Sequence, residues 1–198
     1  MRYGLDHKAE TRSRILDAAA RQIRIKGPEK VAVTDVMASA GLTHGGFYAH
    51  FPSKKALVAD AVDAMFAEGQ RRTKALGDAL ADPATDIRAA LRTHLTSYLS
   101  PEHRDGLERG CPLPSLAADI ARGAGAAAPR FAAGLQRLTS RMEAALDRIG
   151  VAAPDAEANA VVAQMVGAVG LARAIGKGAQ SDAILRDTLM NLLARYGL

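Results

Sequence analysis

The sequence predicts an all-α protein: a small N-terminal three-helix unit followed by a larger helical part. Three observations carry this. Apolar residues recur at spacings of three and four along most of the 198 residues, and glycine and proline punctuate the stripes. Alanine is abundant while tryptophan is absent and aromatics are 4 % of the chain, which suits helices packed through small side chains. Val33 to Ala40 and Thr43 to His50 read as two short helices joined by a glycine turn at Gly41.

The first stripe, Ile15, Ala18, Ala19 and Ile23 within Thr11 to Lys26, ends at Gly27-Pro28. Val33 to Ala40 forms a second helix, which Gly41 ends by taking a positive φ. Thr43 is a good N-cap for a third helix, through His50. Phe47 and Phe51, four apart, share its buried face. Thr43, His44, Gly45, Tyr48 and His50 are left toward the other side. Pro52 stops this helix, and Ser53 caps a long one bearing Leu57, Ala61, Met65 and Phe66 and running to about Leu80. A helix-turn-helix of this kind places its second helix in the DNA major groove.

Pro83 opens the next predicted helix, through Leu91, Leu95, Tyr98 and Leu99 to a stop at Pro101. Glu102 to Ser115 reads as irregular, followed by a helix to about Ala121 and a glycine/alanine link, Gly123 to Ala128. A helix with Phe131, Leu135, Leu138, Met142, Ala145 and Ile149 closes at Gly150. Pro154 to Ile175 and Ser181 to Tyr196 are the last two. The first of these is apolar on nearly every side, which predicts an interior helix that also meets another subunit.

Charge follows the same division. Residues 1–56 hold ten basic and five acidic residues, so the whole net charge of +5 resides there. A basic N-terminal unit joined to a neutral remainder is the electrostatic pattern of a nucleic-acid reader. The polar N-terminus, with Arg2, Asp6, His7, Lys8 and Glu10, is unlike a signal peptide. No apolar run reaches bilayer-spanning length, and a cytoplasmic location is expected. No catalytic constellation, phosphate loop or cofactor fingerprint is visible, which argues against an enzyme. His44 and His50 do not share a helical face, and one cysteine with five scattered histidines gives no metal-ligand spacing. No cofactor is expected.

Gly41-Leu42-Thr43, Gly45, Phe47-Tyr48, Phe51 and Ser53-Lys54, with the upstream run Ile15-Leu16-Asp17-Ala18-Ala19 ending in Gly27, resemble the signature of the tetracycline-repressor (TetR/AcrR) family of bacterial regulators. The likeness is strong over roughly residues 10 to 58 and general beyond. Three positions depart from the pattern: Gly46 stands for a small hydroxyl or alanine, Ala32 for a capping Thr or Ser, and Gln22 for a leucine. The second glycine should cost the short helix about 1 kcal/mol. The contact usually made at position 32 is expected to be missing or to pass to Thr34.

The resemblance implies a DNA-binding domain over residues 1–52 and a helical ligand-binding and dimerisation domain over 53–198. It implies double-stranded operator DNA as partner, contacted by Thr34, Thr43, His44, Gly45, Tyr48, His50 and Lys54. It implies a homodimer through the last two helices, with Val161, Met165, Ala168, Val169, Ala172, Leu185, Leu189 and Leu192 as interface candidates. It implies a small-molecule effector of unidentified chemistry, whose binding tilts the helix from Ser53 and releases a repressor from its operator. Candidate pocket residues are Met65, Phe66, Leu95, Tyr98, Cys111, Phe131, Leu135, Leu138 and Met142, though a methionine and aromatic stripe at helical spacing is more often plain core. His94, four before Tyr98, would add a polar group. Cys111, the single cysteine, lies beside Arg109. It reads either as a small packed side chain or as a thiol switch that would replace the ligand, and regulation without any ligand is a further alternative.

Overall fold

The computed structural model describes residues 2–123 and 125–198; Ala124 of the glycine/alanine link lies outside them, as do Met1 and the side chains of residues 2–6. The described residues form helices and the turns between them, with no strand: α1 (Arg2–Lys26), α2 (Val33–Ser39), a 3₁₀ helix (His44–Ala49), α3 (Lys54–Arg72), α4 (Lys74–Ala81), α5 (Ile87–Tyr98), α6 (Pro101–Asp105), a 3₁₀ turn (Leu107–Arg109), α7 (Pro112–Ala121), α8 (Ala127–Arg148), α9 (Pro154–Ala174) and α10 (Ala179–Tyr196). Two compact units result, one of residues 1–68 with 107–133 and one of 69–106 with 134–198. This compactness cut differs from the division expected at residues 52 and 53, because the stretch after Gly106 packs on α1.

In the first unit, Ile15, Ala19 and Ile23 of α1 are fully buried beside Val36 and Met37 of α2 and Leu57, Ala61 and Met65 of α3. Gly41 ends α2 as expected, with φ +70. Its N–H donates to Ala38 O at 2.9 Å and that of Leu42 to Met37 O at 2.9 Å, the paired bonds that close a helix on a left-handed residue. Arg14 Nη2 adds a bond to Ala40 O at 2.5 Å. Gln22 Nε2 donates to Asp35 O at 3.1 Å and Ser39 Oγ at 2.8 Å, so the polar residue that replaces leucine ties α1 to α2.

In the second unit α9 and α10 form the most extensive helix pair. Val161, Met165, Val169 and Ala172 of α9 and Leu185 and Leu192 of α10 are buried within this one chain. Arg104 pins α6 to α10, donating to Ser181 Oγ at 2.9 Å and pairing with Asp182 at 2.5 Å. Ser181 Oγ in turn donates to Ala172 O at 2.9 Å. Arg88 closes the other end through Tyr196 O at 3.0 Å and Ile149 O at 3.1 Å.

Several boundaries differ from the sequence reading, and four have a clear local reason. The long helix from Ser53 breaks at Thr73, whose hydroxyl shares Gly69 O with its own backbone N–H, at 3.0 and 3.1 Å, a bond of the kind that bends helices. Asp86, not Pro83, opens α5, its carboxylate accepting from the N–H groups of Arg88 at 2.9 Å and Ala89 at 3.1 Å. Pro101 starts a helix rather than only stopping one, because Ser100 caps it through the His103 N–H at 3.1 Å. The stretch read as irregular contains α6, the 3₁₀ turn and the start of α7, where Pro112 occupies a first-turn position that needs no N–H.

Candidate nucleic-acid interface

The segment His44–Ala49 is a 3₁₀ helix rather than an α-helix. Two adjacent glycines weaken a six-residue segment, and short segments of this kind settle into the tighter winding. Phe47 and Phe51 are each 1 % exposed and their rings stack at 5.9 Å, the buried face that their spacing predicted. Arg12 lies 4.8 Å over the Phe51 ring while pairing with Asp60 of α3 at 2.5 Å, so α1 and α3 grip the base of the segment.

On this base Thr43, His44, Gly45 and Tyr48 are all exposed, Tyr48 at 70 %. The Tyr48 ring meets the edge of Phe47 at 5.2 Å, which holds the ring while most of the side chain stays open to solvent. A Cβ built at Gly45 would touch nothing within 4 Å, so packing does not require a glycine there. Thr43 occupies the expected capping position, but its side chain makes no capping bond. Ala32 likewise begins α2 with no side-chain cap, and Thr34, next in that first turn, is exposed.

Two candidates sit differently. His50 is half-buried, with its Nδ1 shielded and unpartnered, so its ring turns partly into the domain. Lys54 donates to Glu29 O at 2.7 Å and clamps the loop between α1 and α2. Ser53 caps α3 as predicted, accepting from the Ala56 N–H at 3.1 Å.

The candidate effector walls are divided between the units. Met65 and Phe66 are buried in the first, where Phe131 meets Phe66 edge-on at 6.1 Å, and Cys111 is half-buried at the start of α7. His94, Leu95, Tyr98 and Met142 are buried in the second, Leu138 is half-buried, and Leu135 is 38 % exposed and faces solvent. A cleft of about 590 Å³ opens elsewhere in the first unit, between Arg14, Arg21, Gln22 and Gly41, and no effector candidate lines it.

Of the eight interface candidates, seven are buried by their own chain and Leu189 is half-buried. What α9 leaves exposed is another face: Ala160, Ala163, Gly167, Leu171 and Ala174, with Leu171 at 61 % and Met190 of α10 at 59 %.

Sequence reasoning missed Arg24. Its side chain is 1 % exposed, and it donates to Glu108 O at 2.8 Å and pairs with Glu68 at 2.8 Å. The only signal was an arginine directly after the buried Ile23. Among the described residues no cluster of His, Cys, Asp or Glu is arranged to hold a metal, and no helix is long and apolar enough to cross a membrane.

The sequence model described as bacterial regulatory proteins, tetR family, matches residues 15–61. The chain is 31 % identical over 67 residues to an uncharacterized HTH-type transcriptional regulator, YdgC, of Bacillus subtilis, covering 34 % of each chain. It is 28 % identical over 102 residues to the HTH-type transcriptional regulator LmrA of the same organism, covering 51 % of this chain and 54 % of that one. The matched stretches thus span about a third and about half of these curated relatives. In fold, a TetR transcriptional regulator from Chloroflexus aurantiacus superposes with a TM-score of 0.80 at 24 % identity, covering 97 % of this chain and 96 % of that one. The reduced form of E. coli NemR gives 0.79 at 18 % identity, covering 92 % and 95 %. Residues 15–61 thus match the model of the tetR family of bacterial regulatory proteins, and along nearly its whole length the chain has the fold of such regulators.

Proposed function

We propose that the chain is a sequence-specific DNA-binding transcription regulator, a repressor that leaves its operator when a small molecule binds. One observation carries it: Thr43, His44, Gly45 and Tyr48 stand exposed together on the rigid Phe47–Phe51 base, within the segment that matches the family. Exposed hydroxyls, an imidazole and a bare backbone suit contacts to phosphates and base edges. The excess positive charge of residues 1–56 would supply the salt-dependent part of the affinity.

Residues 1–52 act as the reader and residues 53–198 as the ligand-binding and dimerisation part. The homodimer forms through α9 and α10. Its contact face is the small-residue stripe Ala160, Ala163, Gly167, Leu171 and Ala174 with Met190, while the buried candidates support that face from beneath. Effector binding favours a dimer state whose reading heads no longer match the half-site spacing, a population shift between two states.

Fluorescence anisotropy against DNA flanking the protein's own gene, with a scrambled duplex as control and two salt concentrations, tests the reading. Tight, selective binding that weakens with salt supports it. Absence of binding at either salt sinks it.

A second reading, a thiol switch at Cys111, has one observation in its favour. Cys111 precedes α7 three residues after Glu108, whose carbonyl holds Arg24 of α1. DNA binding that is lost on thiol modification, and kept in Cys111→Ser under the same treatment, would select it over the ligand.

A further inference from the structure

The second unit contains a polar group whose needs the chain does not meet. His94 of α5 is 5 % exposed, and neither Nδ1 nor Nε2 has a hydrogen-bond partner. It lies on the buried face of α5 with Leu91 and Leu95, both fully covered. A neutral imidazole offers one donor and one acceptor. Leaving either buried and unmatched costs about 1–3 kcal/mol. Leucine would fill an apolar interior at lower cost, so the histidine is set for a group that is not part of the chain.

The foremost charged neighbour of His94 is a cation, Arg141 of α8, and His103 is the next. His103 itself faces Arg173 and Arg72. Arg141 and His103 both push the His94 ring toward its neutral form. The Tyr98 ring connects the two histidines, 6.3 Å from His94 and 4.6 Å from His103. Arg141 Nη1 donates to the neutral hydroxyl of Thr73 at 3.0 Å, a bond that positions the guanidinium without neutralising it. A buried imidazole with no partner, beside a guanidinium held by a neutral group, suits an anion.

We propose that this unit binds a largely apolar organic acid, its carboxylate held between His94 of α5 and Arg141 of α8. The carboxylate accepts the imidazole N–H and answers the arginine charge, while the apolar remainder suits an interior built from leucine and methionine. Arginine is well matched to a planar carboxylate. The proposal rests on the effector reading above and gives that effector a chemical class.

The test uses the full chain and two fluorescent probes, the anionic anilinonaphthalene sulfonate and the uncharged phenylnaphthylamine. The lack of tryptophan leaves their signals clear of indole emission. The anionic probe should bind at a single site per chain and be displaced by benzoate but not by benzamide. Arg141→Met should weaken it by about tenfold, the size of one charge-assisted hydrogen bond, and leave the uncharged probe within about twofold. His94→Leu should do the same, and if that variant fails to fold, Arg141→Met decides. Equal displacement by benzoate and benzamide, or an unchanged anion affinity in Arg141→Met, overturns the proposal. Operator anisotropy on the same samples separates the two readings. DNA released by uncharged compounds and not by acids overturns the acid assignment alone. Failure to bind any operator overturns the regulator reading, while the probe titration still decides whether the acid site exists.

Discussion

Arg24 of α1 and Glu68 of α3 form an ion pair at 2.8 Å with the arginine side chain 1 % and the glutamate 15 % exposed. The same guanidinium donates to Glu108 O at 2.8 Å, and Arg109 approaches Glu68 at 3.6 Å. One buried cation therefore ties the first helix to α3 and to the 3₁₀ turn. Removing one member of such a pair strands the other, so Arg24→Met should destabilise the protein by about 3 kcal/mol. Glu68→Gln, which keeps an acceptor, should cost less. Urea unfolding of both variants and of the double variant checks the coupling; equal, small effects would show that the pair contributes little.

Gly45 separates folding from DNA contact. No atom of the chain lies within 4 Å of a Cβ placed there, so Gly45→Ala should leave stability unchanged or raise it by up to about 1 kcal/mol. If the reading segment approaches DNA closely, the same methyl group should lower operator affinity by about tenfold. Tyr48→Phe should weaken binding by roughly 1 kcal/mol through its lost hydroxyl. Anisotropy with thermal melts as the control reads both; unaltered affinity in both would remove this face from the interface.

Leu171 and Met190 are large apolar side chains at 61 % and 59 % exposure. Leu171→Glu should convert the expected dimer to monomer, seen by sedimentation velocity, and helix content should be unchanged. Val169→Ala, a truncation in the chain's own core, should lower stability and leave the oligomer intact. The reverse pattern would place the interface elsewhere.

Burial lowers the pKa of His94 and of His103 to about 4 from the usual 6.5, Arg141 and His103 adding to the effect at His94. A hydrogen bond from the His103 ring to Tyr98 O, at 2.7 Å, opposes the shift only in part. The unfolded chain takes up these protons near pH 6.5 and the folded one near 4. Stability is therefore full above pH 6.5 and falls as pH drops toward 4, by up to roughly 3 kcal/mol per histidine. Urea titrations at pH 7 and pH 5 measure this, and His94→Leu should remove about half of the difference, His103 keeping the rest. A stability independent of pH across that window would refute the burial of neutral rings.

Ala153 precedes α9 with φ +50, the one non-glycine residue in the left-handed region among those described. It is exposed, so nothing but backbone strain is at issue. Ala153→Gly should raise stability by about 0.5–1 kcal/mol, the strain relieved less the greater freedom of glycine in the unfolded chain. A lower melting temperature would contradict it.

Local sequence was enough for most of the longer helices, the turn at Gly41, the Phe47–Phe51 base and the polar set above it. Each of these follows from propensity and periodicity within a few residues. Gly41 needed only its own freedom at positive φ, and the phenylalanines only their spacing. The placement of net charge was equally legible, being a property of composition alone. Packing between distant segments decided the rest. Arg24 could be read as a surface charge until Glu68 and Glu108 met it, because burying a cation requires neighbours more than forty positions away. The last two helices were legible as apolar, but not which face they keep for themselves. Val161, Met165 and Val169 are consumed by packing against their own chain, leaving the small stripe through Gly167 and Leu171 outside. His94 is the same case: periodicity set it on the buried face of α5, and only the fold brought Arg141 near it and gave its ring no partner.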